Sequence, residues 1–236
     1  MNVKQAIVLA GGLGTRLQGV LPGMPKCMAP VQGAPFLSHV LNYLISQQIK
    51  TVILSVGYRK EQIINYFGNS FQSLSILYAI ENEPLGTGGA IKLAFDHSAE
   101  EKAFVMNGDT FFLPDLSSME QWHTMSSADI TIAVKHMPET GRYGLVETDH
   151  NGRITAFREK DPRSGSGWIN GGIYLINRNI FKNIRDQKFS IENDLFKVSC
   201  STLHMQSFRT DASFLDMGIP EDYDRAQTFL PAWRGI

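Results

Sequence analysis

Val3-Lys4-Gln5-Ala6-Ile7-Val8-Leu9-Ala10 runs without a break into Gly11-Gly12-Leu13-Gly14-Thr15-Arg16-Leu17, and this join between an apolar stretch and a glycine loop decides the fold. The apolar stretch is shorter than a signal-peptide core and far shorter than a membrane span, so it is predicted as a buried strand. Glycines directly after such a strand let backbone N–H groups face an anion with no Cβ in the way, and a helix opening behind them adds its positive end. Arg16 would supply a planar cation for phosphate oxygens. Two other phosphate loops are disfavoured by the residues present. A Walker A loop ends in Gly-Lys-Ser/Thr, where this chain has Gly14-Thr15-Arg16, and a dinucleotide fingerprint needs a small residue where Leu17 stands.

Outward from this loop the pattern alternates. Leu37, Val40, Leu41, Leu44 and Ile45 recur at helical spacing, and Thr51 to Val56 follows as a β-branched strand. A helix from about Lys60 to Phe67, a strand at Ser75 to Tyr78, a helix opened by Gly86 to Gly89 and running through Phe95, and a strand from Ala103 to Asn107 continue it. Such alternation predicts an α/β fold, a Rossmann-like, doubly wound and mostly parallel sheet with ligands at the carboxyl ends of its strands. The second half departs from this. Gly144 to Thr148 and Arg153 to Arg158 flank a turn containing Asn151-Gly152, which predicts a small inserted β-meander beside the parallel strands and makes the sheet mixed. Asp161 to Gly167 reads as a mobile loop, Trp168 to Ile176 as a strand, Thr202 to Phe208 as another, and a helix begins near Pro220.

Composition sets the bounds. The 236 residues, 43% of them hydrophobic, suit one substantial core. The formal charge of −1, from 22 basic against 23 acidic residues, provides no field toward nucleic acid or an anionic membrane, so neither is expected as a partner. Cys27 and Cys200 are too few for a disulfide framework and lack zinc spacing, which fits free thiols in a cytoplasmic protein. The six histidines (His39, His97, His123, His136, His150 and His204) fall in no recurring metal spacing. No internal repeat is present, and a hexapeptide β-helix appendage is excluded on length.

Pro25-Lys26-Cys27-Met28-Ala29-Pro30-Val31 adds a lysine in a proline-bounded loop. The run Leu9-Ala10-Gly11-Gly12-Leu13-Gly14-Thr15-Arg16-Leu17, then Pro25-Lys26, then Pro30-Val31 resembles the signature of the sugar-1-phosphate nucleotidyltransferases, and the likeness spans essentially the whole chain. It implies a glycosyltransferase-A-like nucleotidyltransferase fold occupying residues 1–236 as one domain. It also implies that Arg16 and Lys26 bind the triphosphate and stabilise charge at its α-phosphorus, with Asp109 as the third catalytic residue. The nucleotide would lie against Leu9, Ala10, Gly11, Gly12, Gly14 and Thr15, and against the second glycine segment around Glu81, Glu83, Gly86, Thr87 and Gly88. Asp109, after Asn107-Gly108, and Asp216, in Phe214 to Pro220, would hold Mg²⁺. Asn107, Gly144, Glu159, Lys160, Asn170, Gly171 and Glu192 follow the order of the sugar-binding segments. Glu192 also lies in a stretch, Ser190 to Leu195, that a plain helix cap explains equally well. Cys27 departs from the family, where a second proline is common.

Within the family the likeness is greatest to the guanylyltransferases of a manno-heptose 1-phosphate, through Ser55 to Tyr58, Glu83 to Ile91 and Ser190 to Phe196. The expected substrates are therefore GTP and a sugar 1-phosphate. A mannose 1-phosphate enzyme, a uridylyl- or cytidylyltransferase and a non-catalytic nucleotide-binding regulator are the rivals. The regulator is disfavoured because Arg16, Lys26, Asp109 and Asp216 are all present. A carboxylate can accept from guanine N1–H and the N2 amino group together. Glu81 and Glu83 both qualify, since residues two apart on an extended segment face the same side; Glu83, adjoining the loop, is preferred. Oligomeric state is not legible, and a homodimer stays open.

Overall fold

The strand that opens the chain is β1 (Gln5–Leu9), in a computed structural model that describes residues 1–12, 22–158, 165–218 and 220–229. Its start is pinned by Glu120, whose carboxylate accepts from the backbone N–H groups of Asn2, at 2.8 Å, and Val3, at 3.1 Å. Beyond a 3-10 turn at Lys26–Met28, a small hairpin of β2 (Pro30–Val31) and β3 (Ala34–Pro35) leads into α1 (Phe36–Ser46). There follow β4 (Thr51–Val56), α2 (Lys60–Phe67), β5 (Ser70–Phe71), β6 (Leu74–Ile80), α3 (Gly86–Phe95) and β7 (Lys102–Asn107). The chain continues through β8 (Thr110–Phe112), α4 (Leu116–Met125), β9 (Ile130–Met137), β10 (Leu145–Thr148), β11 (Ile154–Arg158) and β12 (Gly167–Asn177). A helical segment, Ile191–Phe196, passes into α5 (Lys197–Ser199), and β13 (Met205–Arg209), β14 (Phe214–Asp216) and α6 (Pro220–Phe229) close the described chain.

Among the described residues, ten strands form one mixed sheet in the order β11-β10-β12-β7-β1-β4-β6-β5, with β9 on β12 and β13 on β9. The four strands β7-β1-β4-β6 are its parallel heart. Because helices cover both faces there, these strands are continuously apolar, as parallel strands usually are. Val8, Leu54 and Phe104 face α1 and α4 in one buried cluster, while Ile7, Ile53 and Val105 face α3 and the Ile191–Phe196 segment in the other. Each such side chain, fully buried, contributes about 1.5–3 kcal/mol. The expected meander is the antiparallel β10–β11 pair, and it extends the large sheet through β12.

The elements α4 and β9, like the short strands β3, β5 and β8, were not assigned from the sequence, and β9 pairs with both β12 and β13. The strand expected from Thr202 begins only at Met205, because Thr202 and Leu203 donate back to the Ser199 carbonyl in a helical turn. The expectations for Leu13, Leu17 and the loop at 161–164 lie outside the described residues.

The second glycine segment has a packing role. Gly86, at φ +71°, opens α3 in a conformation that favours glycine. The stretch from Gln187 to Ser190 crosses directly over this turn. The N–H groups of Gly88 and Gly89 both donate to the Phe189 carbonyl, at 2.9 and 3.3 Å, and Phe189 N–H donates to the Leu85 carbonyl at 3.0 Å. A Cβ on Gly88 would overlap the Phe189 ring, and one on Gly89 would overlap the Gln187 carbonyl. We therefore expect Gly89→Ala to destabilise the protein by about 1–3 kcal/mol through overpacking, outweighing the ~1 kcal/mol that alanine gains over glycine within a helix. Thermal unfolding followed by circular dichroism checks this: the midpoint should fall by several degrees, and an unchanged midpoint would show that the strap is not seated on α3.

Candidate active site

Parallel pairing brings three strand ends together. Leu9 is in register with Ser55 of β4 on one side and Asn107 of β7 on the other. The ladder continues past β1, with Ala10 N–H donating to the Ser55 carbonyl at 2.8 Å and Gly108 N–H to the Leu9 carbonyl at 2.9 Å. These ends open into a cleft of about 930 Å³. Of the residues singled out from sequence, Leu9, Ala10, Gly11, Gly12, Lys26, Glu81, Glu83, Gly86, Thr87, Asn107 and Asp109 all line it. Gly14, Thr15, Arg16, Glu159 and Lys160 lie outside the described residues.

One end of the cleft is ionic. Lys26, on the 3-10 turn, donates from Nζ to Asp109 Oδ2 at 2.7 Å and stands 3.9 Å from Asp216 Oδ1. The two carboxylates meet because β8 and β14 pair with Asp216 opposite Thr110, while Met217 N–H donates to the Asp109 carbonyl at 3.2 Å. Burial pushes the Asp216 carboxyl above the usual carboxylate range; Lys26 opposes that shift and Asp109 reinforces it. Gly218 leaves room beside it, since a Cβ there would stand 3.1 Å from Asp216 Oδ2. Among the described residues no group of three or more His, Cys, Asp or Glu side chains is placed to hold a metal alone. Two hard carboxylates brought together in this way nonetheless suit Mg²⁺, which takes one or two carboxylates and completes its shell with substrate oxygens and water. Cys27 is buried beside this pair, and desolvation pushes its thiol up to about 12, so it stays protonated and inert.

At the other end of the cleft stands Glu81. Its Oε1 accepts from Ser55 Oγ at 3.0 Å and its Oε2 from Leu85 N–H at 3.1 Å. Gly11 leaves room for this carboxylate, since a Cβ there would stand 2.6 Å from Glu81 Oε1. Glu83 is exposed and makes no hydrogen bond among the described residues. The alternation argument that treated the two glutamates alike does not extend this far, since β6 ends at Ile80 and the chain turns after it. Ser55, fully buried, was not singled out as a site residue; its contact depends on β4 and β6 lying side by side, which no local pattern reports.

A third group lies beyond α3. Asn170 donates from Nδ2 to Tyr174 Oη at 2.9 Å, and Tyr174 Oη donates to Glu192 Oε1 at 3.3 Å. Glu192 Oε2 accepts from Thr87 Oγ1 at 2.7 Å and from Ser190 Oγ at 3.0 Å. Ser190 is also the cap of the Ile191–Phe196 segment, accepting from Asn193 N–H, so the cap and the cluster are one structure. Gly171 and Gly172 form a bulge where the β12–β9 register shifts. A Cβ on Gly172 would stand 2.7 Å from Asn107 Nδ2, and one on Gly171 would overlap the Phe112 ring. Among the residues expected to meet ligand, Gly88 and Gly171 are buried against phenylalanine rings, and neither they nor Gly144, Asn170, Glu192 and Asp216 line the cleft. Gly144 sits against β11, where a Cβ would stand 3.1 Å from the Arg158 carbonyl. Tyr174 and Ser190 were missed as site residues because their contacts depend on the fold.

The profile of the Nucleotidyl transferase family matches residues 5–232. The D-glycero-alpha-D-manno-heptose 1-phosphate guanylyltransferase of Aneurinibacillus thermoaerophilus is 48% identical over 96% of this chain and 98% of its own length. The enzyme of the same name from Campylobacter jejuni is 43% identical over 93% of this chain and 96% of its own. The crystal structure of HddC from Yersinia pseudotuberculosis, complexed with GMP-PN, superposes with a TM-score of 0.86 at 36% identity, covering 97% of this chain and all of that one. With a glycine-led cleft at the strand ends and a match along nearly its whole length, this chain belongs to the nucleotidyl transferase family.

Proposed function

We propose that this protein is a guanylyltransferase that transfers GMP from GTP to D-glycero-α-D-manno-heptose 1-phosphate, giving GDP-heptose and releasing pyrophosphate. The single observation that carries this reading is one cleft with two unlike ends: the Glu81 carboxylate held by Ser55 and Leu85, and Lys26 held between Asp109 and Asp216. The relatives described above act on this sugar phosphate by name, and they cover the chain almost end to end.

The reaction is read as one in-line displacement, in which an oxygen of the sugar phosphate attacks the α-phosphorus and pyrophosphate leaves. The attacking phosphate is ionised near neutral pH, so no protein nucleophile is needed. Positioning and charge neutralisation do the work. Lys26 donates to phosphate oxygens, with Arg16 assigned to the triphosphate and Lys160 to the sugar phosphate on the family resemblance. Asp109 and Asp216 would hold Mg²⁺, which when bound neutralises charge on the phosphate oxygens. The backbone of Ala10 to Gly12 approaches the nucleotide closely. Guanine offers N1–H and the N2 amino group side by side, and Glu81 accepts both. Each Glu81 oxygen already has one donor and keeps a lone pair, so the acceptor is fixed before the base arrives, an advantage that exposed Glu83 lacks. The cytoplasm, where free Cys27 and Cys200 stay reduced, is the proposed site of the reaction.

Pyrophosphate release across GTP, UTP and CTP, each with the heptose and mannose 1-phosphates, tests the assignment: GTP with the heptose should be the preferred pair, and efficient UTP use would remove the guanine reading. Glu81→Gln should lower the preference for GTP over UTP by about 10–100-fold, the scale of a hydrogen bond to a charged group, while Glu83→Gln leaves it unchanged. The reverse pattern would return the role to Glu83. Asp109→Asn and Asp216→Asn should each reduce turnover by about 10²–10³-fold, the scale of losing transition-state charge stabilisation, with the unfolding midpoint preserved. Near-normal turnover in either variant would remove that residue from the site.

A further inference from the structure

We propose that Thr87 is a positioning residue whose hydroxyl holds the Glu192 carboxylate in orientation for the sugar, and that it is not a ligand of the nucleotide. This rests on the reading above, in which Glu192 meets the sugar phosphate substrate.

Thr87 occupies the first turn of α3 and lines the cleft, so a direct contact with nucleotide would be the simple assumption. Its hydrogen bonds argue otherwise. A hydroxyl has one hydrogen and two lone pairs. The hydrogen is directed to Glu192 Oε2 at 2.7 Å, the length of a charge-assisted bond, and one lone pair takes Ile191 N–H at 2.9 Å. A phosphate or ribose oxygen that needed a donor could take that hydrogen only by releasing Glu192.

The two oxygens of Glu192 are not equivalent. Oε2 has two short donors, Thr87 Oγ1 and Ser190 Oγ, whereas Oε1 has one long donor, Tyr174 Oη at 3.3 Å. Oε2 is therefore tied into the protein and Oε1 retains acceptor capacity for a substrate hydroxyl. Tyr174 is itself oriented by Asn170 Nδ2 at 2.9 Å, so β12, the Ile191–Phe196 segment and α3 all converge on one carboxylate. Thr87 is the member of this set that belongs to the nucleotide cleft. The turn that carries it is fixed from behind by the Phe189 carbonyl on Gly88 and Gly89. One hydroxyl thus ties the sugar acceptor to the helix that forms a wall of the cleft.

Thr87→Val removes the hydroxyl at nearly constant shape, and Thr87→Ser keeps it. Steady-state kinetics with GTP and heptose 1-phosphate should show Thr87→Val raising the KM for the sugar phosphate about 10-fold or more, the scale of a lost hydrogen bond to a charged group, with the KM for GTP within about twofold of the parent and Thr87→Ser close to the parent in both. Glu192→Ala should raise the same KM, and Thr87→Val should add nothing further in the Glu192→Ala background, because the two act as one unit. A rise in the GTP KM alone would make Thr87 a nucleotide ligand. Equal rises in both KM values, or failure of serine to restore them, would reduce Thr87 to packing; either result overturns the proposal. A normal sugar KM in Glu192→Ala would overturn it by removing Glu192 from the sugar site, which is distinguishable from a neutral Thr87→Val beside an impaired Glu192→Ala. Absence of parent turnover with heptose 1-phosphate would instead strike the functional reading on which the proposal rests.

Discussion

Leu9 lies between Ser55 and Asn107, hydrogen-bonded in parallel to a strand on either side, and the site depends on that arrangement. Parallel strands start together and end together. The turns after β1, β4 and β7 therefore emerge at one edge, where Ala10 to Gly12, Gly57 and Gly108-Asp109 line a single cleft. A one-residue slip of β1 would exchange its two buried faces and move Ile7 out of one cluster into the other. The apolar core thus fixes the register, and the register fixes which residues share the cleft.

Glycine serves two different ends in this chain. At Gly11 its missing Cβ admits the Glu81 carboxylate from beyond the end of β6, and at Gly218 it leaves space beside Asp216. At Gly86, Gly88, Gly89 and Gly171 the same absence admits other parts of the protein, namely the Phe189 strap and the Phe112 ring. A glycine-rich segment next to a ligand cleft is therefore not by itself a ligand contact. Here the second segment builds the wall of the cleft by letting Gln187 to Ser190 cross a helix start, and that crossing also delivers Glu192 to Thr87.

Much of this was legible in sequence. The helices at Lys60–Phe67 and Gly86–Phe95 and the strand at Thr51–Val56 begin and end where periodicity places them, because their apolar faces are buried as that pattern implies. Lys26, Asp109 and Asp216 were legible as chemistry in the light of a family signature, and the structure brings the three within ion-pair reach. The antiparallel additions were harder. β9 belongs to the sheet through β12 and β13, both of which come later in the chain, and nothing local to Ile130–Met137 announces those partners. The argument that Glu81 and Glu83 share a face stops at a boundary: alternation is a property of strands, and β6 ends at Ile80. Ser55, Tyr174 and Ser190 are common residue types in ordinary positions, and only the tertiary pairing that aims their hydroxyls at Glu81 and Glu192 gives them a role.

The proposed recognition of guanine by the preset Glu81 carboxylate depends on the N2 amino group of the base. Inosine triphosphate differs from GTP only in lacking the N2 amino group, so comparing kcat/KM for the two, with heptose 1-phosphate saturating, isolates that contact. With Glu81 as the acceptor, GTP should be preferred by about tenfold or more, on the scale of one hydrogen bond to a charged group, and Glu81→Gln should sharply reduce that preference. Equal use of GTP and inosine triphosphate by the parent protein would contradict it.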